Sequence, residues 1–317
     1  MTSQKSTWQR IDTRNHPTPR IGGSLILNTK NRTVLLFGGT NSTTGYLDDI
    51  WSSDGLQWER RQTSVRPAAR YGMSMAWDEA RQMAVLFGGL ENGKLLGDTW
   101  LLDGVEWHKR QPLTAPSPRV HSSLTYDAEQ KITVLFGGQA DTGWNYLEAL
   151  NEMWVWDGEN WQQQFPIDLP PARFGTSMVH DRARRAILLF GGGSGGGMLD
   201  DTWVWDGENW KEQQPLNRPP ARADFGMTYH EGRQQVILFG GQSYSGTAID
   251  TWVWDGQDWS QLQTTQSPPP QVAYGAQLAY LPALQAVILY NAFREKTIVS
   301  DESFTMTERS EVWVLDY

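Results

Sequence analysis

The sequence predicts an all-β protein built from six copies of one four-stranded antiparallel unit. Three observations carry that prediction. An apolar run ending in Phe-Gly-Gly recurs at Phe37, Phe87, Phe136, Phe190 and Phe239, at intervals of 50, 49, 54 and 49 residues. Tryptophans recur in pairs seven residues apart, as Trp51/Trp58, Trp100/Trp107, Trp154/Trp161, Trp203/Trp210 and Trp252/Trp259. An arginine stands seventeen residues before each of those Phe positions: Arg20, Arg70, Arg119, Arg173 and Arg222. A fixed period near 50 residues marks repeated units that bury their apolar faces against one another. A degenerate sixth copy, Tyr290-Asn291-Ala292, follows 51 residues after the fifth and carries Ala273 in place of the arginine.

Within a copy, the strands follow in order. Residues 71–77 or 174–180 read as the innermost strand. Residues 84–87 or 186–190 read as the second, ending where the diglycine permits backbone angles closed to other residues. The third, 202–206 in the fourth copy, alternates with the two-residue period of a strand. An Asp-Gly pair then predicts a tight hairpin, at Asp54-Gly55, Asp103-Gly104, Asp157-Gly158, Asp206-Gly207 and Asp255-Gly256. The fourth strand begins at the second tryptophan and gives way to a proline-rich link such as Leu169-Pro170-Pro171, where a sheet ladder cannot continue.

These marks resemble the kelch motif: a diglycine after an apolar strand, two spaced aromatics, about 50 residues per repeat. The resemblance spans essentially the whole chain and implies a kelch-type β-propeller, the fold of the galactose oxidase central domain. The sixth copy supplies three strands and ends at 311–316, while Thr7-Trp8-Gln9-Arg10 matches the start of every other fourth strand. The expectation is therefore one six-bladed domain over 1–317, closed by the N-terminal strand completing the C-terminal blade. The blades span about 20–62, 70–111, 119–164, 173–214, 222–263, and 273–317 plus 7–12. Closure pairs edges that would otherwise stay open.

Composition limits the function. Net charge is −9 and pI about 5.1, which argues against a nucleic-acid partner, since phosphate binding needs clustered Lys and Arg. Cysteine is absent, so there is no disulfide, no thiolate nucleophile and no thiolate metal ligand. The copper site and cysteine-crosslinked tyrosine of galactose oxidase are likewise excluded. No signal peptide or apolar 18-residue run occurs, so a soluble, cytoplasmic protein without membrane contact is expected. The histidines, His16, His108, His121, His180 and His230, lack local metal-ligand spacing; only a cluster assembled across blades could hold a metal, and no cofactor is expected.

The repeat acts as its own control. A residue type present in nearly every copy reads as scaffold, and a departure reads as a functional candidate. By that rule the tryptophans are core, and the arginines pair with Asp49, Asp98, Glu152, Asp201, Asp250 and Glu311, each two before a third-strand tryptophan. The glycine run 191–197 contains a GxGxxG string but leads into a strand, not a helix, so it reads as a flexible inter-strand loop rather than a phosphate cradle.

Two residues after the arginine position the copies carry Gly22, Gly72, His121, Gly175, Asp224 and Gly275. His121 and Asp224 break the glycine pattern near the expected pore. They read either as a locally satisfied polar pair or as a general acid/base or ligand-binding pair. One position earlier, Tyr71, Phe174 and Tyr274 suit a pocket lining. The loops after the diglycines, 40–47, 90–96, 139–150, 193–199, 242–248 and 291–309, differ in length. Their ligand-binding candidates are Asn41, Glu91, Gln139, Trp144, Tyr146, Gln242, Tyr244, Asn291, Phe293 and Arg294. Loops 139–150 and 291–309 are candidate lids or partner contacts.

Two functions follow. The first is a recognition module for a small polar ligand or a protein partner over the face bearing those loops. The alternative is a stand-alone small-molecule enzyme, isomerase-, mutarotase-, lyase- or cyclase-like, with His121 or Asp224 moving the proton. A resemblance to propeller sialic acid mutarotases allows the second.

Overall fold

The computed structural model describes residues 6–13, 15–141, 143, 146–269, 275–300 and 303–317, with backbone alone at 291, 293–300 and 303–308. The described residues form strands and turns with no α-helix, so no helix is long and apolar enough to cross a membrane.

Six four-stranded antiparallel sheets hold most of the strands. Sheet 1 contains Ser24–Asn28, Thr33–Phe37, Ile50–Ser53 and Trp58–Arg61. Sheet 2 contains Ser74–Asp78, Met83–Phe87, Thr99–Leu102 and Trp107–Arg110. Sheet 3 contains Ser123–Asp127, Ile132–Phe136, Met153–Trp156 and Trp161–Gln164. Sheet 4 contains Ser177–Asp181, Ala186–Ser194, Gly197–Trp205 and Trp210–Gln213. Sheet 5 contains Gly226–His230, Gln235–Phe239, Thr251–Trp254 and Trp259–Leu262. Sheet 6 contains Gln277–Leu281, Ala286–Ser300 and Ser303–Asp316, and takes its outermost strand, Thr7–Ile11, from the start of the chain. Thr7 lies opposite Asp316 and Ile11 opposite Val312.

The second strand of each sheet is apolar at almost every position rather than alternating, because both of its faces are covered by neighbouring sheets. One aromatic contact recurs between sheets. The second tryptophan of a sheet packs on the Phe preceding the diglycine of its neighbour: Trp107 on Phe37, Trp161 on Phe87, Trp210 on Phe136 and Trp259 on Phe190. Trp8 in sheet 6 does the same on Phe239 of sheet 5, with centroids 5.0 Å apart. Trp58 of sheet 1 packs edge-on against Tyr290 of sheet 6 at 5.5 Å, so the degenerate sixth copy keeps the contact with a tyrosine.

The diglycines join sheets through the backbone. Gly138 N–H donates to the Arg173 carbonyl of the next sheet at 2.9 Å. A Cβ on Gly137 would sit 2.5 Å from that carbonyl oxygen, and its φ is +66°, so only glycine fits.

The innermost strands contact one another in order, sheet 1 with 2 through 5 with 6, and sheet 6 with 1. Among the described residues their inner edges pair with no further strand, and side chains take over that role. Met178 N–H donates to Ser123 Oγ, Tyr280 N–H to Thr228 Oγ1 and Leu25 N–H to Gln277 Oε1.

Several expectations need correction. The innermost strands begin at Ser74 and Ser177, not at 71 and 174. Tyr71 and Phe174 instead form isolated bridges with Leu90 and Gly193, and the following glycine is left-handed. The tight Asp-Gly hairpins form where expected, with four-residue loops: Trp156 pairs with Trp161, and the Asp157 carboxylate accepts from the N–H groups of Glu159 and Asn160. The glycine run 191–197 is a paired hairpin rather than a flexible loop. Gly192 lies opposite Leu199 and Ser194 opposite Gly197, after a bulge between Phe190 and Gly192. Of residues 291–309, expected as a loop, 291–300 and 303–309 continue the two middle strands of sheet 6.

Candidate functional site at the mouth of the central cavity

The six innermost strands line a cavity of about 360 Å³. At one mouth, each described approach to an innermost strand passes through a left-handed residue: Gly22, Gly72, His121, Gly175, Asp224 and Gly275, with φ between +55° and +68°. That turn aims the backbone at the neighbouring sheet. Gly72 N–H donates to Gly22 O, His121 to Gly72, Gly175 to His121, Asp224 to Gly175 and Gly275 to Asp224, at 2.8–2.9 Å.

Left-handed backbone suits glycine and costs other residues about 1–2 kcal/mol, with His and Asp among the better tolerated. Two side chains are nevertheless placed there, and they converge. His121 Nδ1 lies 3.6 Å from Asp224 Oδ1, with the side chains 22% and 19% exposed. That separation exceeds a normal hydrogen bond, so neither group saturates the other. They meet rather than facing each other across a substrate-sized gap. Gly175 lies between them in the ring, and a Cβ there would stand 2.6 Å from Asp224 Oδ1.

Tyr71 meets His121 edge-on at 5.5 Å, and Tyr46, from the hairpin after the first diglycine, lies 5.9 Å from Tyr71. Burial, and then the proximity of Tyr46 and Asp224, push the Tyr71 hydroxyl above its ordinary pKa. Its phenol therefore stays protonated and able to donate.

The other sequence candidates divide. Tyr71, His121 and Asp224 line the cavity. Phe174 lies over Gly193, whose Cβ would come within 2.6 Å of the ring, and it is outside the lining. The Asn41 side chain is occupied by its own hairpin and by the proline link before the first sheet. Its oxygen accepts from Thr43 and Thr44 N–H, and its amide donates to the Pro19 carbonyl. Glu91 and Gln139 sit on short two-stranded hairpins beside the mouth, and Gln242 on a similar hairpin that also pairs with Arg222–Ala223. Tyr146 is exposed, and so is Tyr244, although its hydroxyl accepts from Met198 N–H at 2.7 Å. Trp144 and Tyr274 lie outside the described residues, as do the side chains of Asn291, Phe293 and Arg294, whose backbone belongs to the long sheet-6 hairpin.

The repeated arginines are scaffold. Each described guanidinium is fully buried and bound to the expected acid. Arg173 Nη1 donates to Asp201 Oδ1 and to the Gly191 carbonyl, Nη2 to Asp201 Oδ2, and Nε to the Pro171 carbonyl. Trp203 Nε1 donates to the same carboxylate at 2.7 Å. Burial alone would raise such a carboxyl, but at Asp49, Asp98, Glu152 and Asp250 the arginine and tryptophan donors together outweigh it, and the pKa falls below the ordinary value. Glu311 of the arginine-less sixth sheet pairs with Arg10 and Trp313 instead.

The opposite end of the cavity holds a residue the sequence reading passed over. The fourth position of the innermost strands carries Leu27, Trp77, Tyr126, His180, Tyr229 and Tyr280. Tyr126 and Tyr229 accept turn N–H groups of Ala80 and Ala183 from the preceding sheet, each at 3.1 Å. His180 is too short for that tie. Both of its ring nitrogens lack a hydrogen-bond partner among the described residues, and Asp127 lies 3.9 Å away. Comparing the six copies at this position is the signal that would have found it. Above it an Arg182–Glu79 ion pair runs from sheet 4 to sheet 2. Among the described residues no group of three His, Asp or Glu gathers to hold a metal ion.

Burial lowers the pKa of His180 and of His230, whose Nδ1 accepts Arg233 N–H. Stability from the neutral rings is therefore whole above the ordinary value near 6.5 and is lost as pH falls through the lower folded values. Urea midpoints should drop as pH falls below about 6.5, and His180→Tyr, which restores the sibling residue, should flatten that drop. A profile equally steep in both proteins would assign the acid sensitivity elsewhere.

Compared with curated proteins, the chain has no match. Its first 164 residues match the family model of the KLHDC2/KLHL20/DRC7 Kelch-repeats domain, which is just over half of the 317-residue chain. The diglycine hinges, the paired tryptophans and the four-stranded sheets agree with that match, and the chain belongs to the kelch-repeat family.

Proposed function

We propose that the chain is a ring-closed, six-bladed propeller that works as a recognition domain, taking a small polar ligand or a protein segment at the mouth bearing Tyr71, His121 and Asp224. Kelch-repeat domains typically mediate protein interactions. The ring reading draws support from the aromatic contact repeated around all six sheets and from the pairing of the two chain ends. The recognition reading rests on one observation: two side chains occupy left-handed backbone that glycine would fill at lower cost, and they meet over the cavity. The short hairpins after the diglycines frame that mouth, as binding loops do on a rigid scaffold.

A thermal-shift screen of metabolites and peptides tests this, run on wild type beside a His121→Ala/Asp224→Ala double variant. Compounds should stabilise the wild type and leave the double variant unmoved. Equal stabilisation of both proteins would place the site elsewhere.

A further inference from the structure

At the far end of the cavity one sheet departs from its siblings. In sheets 2 to 6 the third residue after the innermost strand reaches the next sheet. Arg81 donates to the Asp157 carbonyl, Gln130 to the Gly207 carbonyl at 2.6 Å and Arg184 to the Asp255 carbonyl. Arg233 lies 4.5 Å over the Tyr317 ring, and Leu284 packs 2.8 Å from where a Cβ on Gly55 would stand. Sheet 1 has Asn31 at that position, one methylene shorter than Gln130. The Gly104 carbonyl of sheet 2 accepts instead from Arg61 Nη2, on the outermost strand of sheet 1, at 2.6 Å. Between the two sheets a shallow crevice remains, lined in part by Asn31, Arg61, Thr63 and Val105.

Charge departs at the same place. The inner turns of sheets 2 and 4 pair their arginines with acids: Arg81 with Asp78, Arg182 with Glu79, Arg184 with Asp181 and Arg185 with Glu129. The turn of sheet 1 reads Asn28-Thr29-Lys30-Asn31-Arg32 and holds no carboxylate. Lys30, Arg32 and Arg61 are exposed, and among the described residues none has a carboxylate within ion-pair distance. The acids beside Gly104 are occupied. Asp103 accepts the N–H groups of Val105 and Glu106, and Glu106 accepts that of Ser64. Val65 and Val105 leave more than half of their surface exposed next to these groups.

On a chain of net charge −9, this sector has the opposite sign from the whole. A flat anionic bilayer would also press on the neighbouring turns, where Glu159, Asp206 and Glu208 stand exposed. A single extended segment meets the cations alone. We propose that the crevice between sheets 1 and 2 docks an acidic protein segment. Its carboxylates pair with Lys30, Arg32 and Arg61, and one apolar side chain packs on Val65 and Val105. This surface is separate from the mouth and does not rest on the reading of the mouth as a recognition site.

Fluorescence anisotropy with the full chain tests it, using a labelled peptide of glutamates around a pair of leucines, its glutamine counterpart, and phosphatidylserine vesicles. The acidic peptide should bind at least about tenfold more tightly than the glutamine one, and more weakly as salt is added. Lys30→Glu/Arg32→Asn should weaken it about tenfold or more. Both positions are exposed and asparagine tolerates the left-handed backbone at 32, so the variant should fold, which a melting curve checks. Asn31→Arg gives sheet 1 the reach of its siblings and closes the crevice. It should weaken the peptide about threefold or more although it adds a positive charge. His121→Ala/Asp224→Ala should bind the peptide as wild type does. Equal binding of the two peptides, no binding of the acidic one, unchanged binding by folded Lys30→Glu/Arg32→Asn, or tighter binding by Asn31→Arg would overturn the proposal. So would vesicles bound in place of the acidic peptide.

Discussion

Arg173→Ala should lower the unfolding free energy by about 3–5 kcal/mol, the range for removing one partner of a buried ion pair. The guanidinium is fully buried, and four of its hydrogen bonds tie the Asp201 carboxylate, the diglycine carbonyl and the proline link into one joint. Removing it leaves a cavity and strands the carboxylate with one indole donor, Trp203 Nε1. Arg66→Ala is the control. Its pair with Asp48 is about half exposed on the arginine side, and such surface pairs are worth about 0–1 kcal/mol. Urea unfolding at neutral pH separates the two. If Arg173→Ala costs no more than Arg66→Ala, the repeated arginines are not the joints described here.

Trp8→Ala should cost about 3–5 kcal/mol, as for a large aromatic removed from a packed core. Trp8 is fully buried, lies on Phe239 and donates through Nε1 to Thr251 Oγ1 at 2.9 Å. The residue stands near the start of the chain, where a loosely held strand would tolerate truncation with little loss. Its counterpart Trp259 has the same surroundings, Phe190 and Thr202 Oγ1. Thermal melts of Trp8→Ala and Trp259→Ala should therefore show comparable losses. A mild effect at Trp8 beside a severe one at Trp259 would mean that the first strand is not an integral member of sheet 6.

The parts legible in the sequence are those repetition enforces. Arg173 and Asp201 are matched because five of the six copies use the same joint, and Trp8 was identifiable as the missing fourth strand because the other copies display one. The sequence read less well wherever backbone hydrogen bonding, not side-chain type, decides the structure. Tyr71 looks like the start of a strand, yet its backbone bridges to Leu90 and the left-handed Gly72 delays the strand to Ser74. Gly191–Gly197 looks flexible, yet cross-strand pairing orders it. Asn41 looks like a free ligand group until its own turn claims it. At the site, the broken glycine pattern singled out His121 and Asp224. Their approach to 3.6 Å comes from the spacing of three neighbouring sheets, which no single repeat encodes.

His121 and Asp224 stand on backbone built for glycine, and recognition at the mouth is the reason proposed for their presence. Replacing both by glycine relieves about 1–2 kcal/mol of left-handed strain at each position, against about 0.5–1 kcal/mol of added unfolded-chain entropy. Thermal melting of His121→Gly/Asp224→Gly, alone and with the compound that most stabilises wild type, is the direct test. The variant should melt no lower than wild type and lose the ligand-induced shift. A melt lowered as far as that of Arg173→Ala, or a ligand shift that survives, would contradict it.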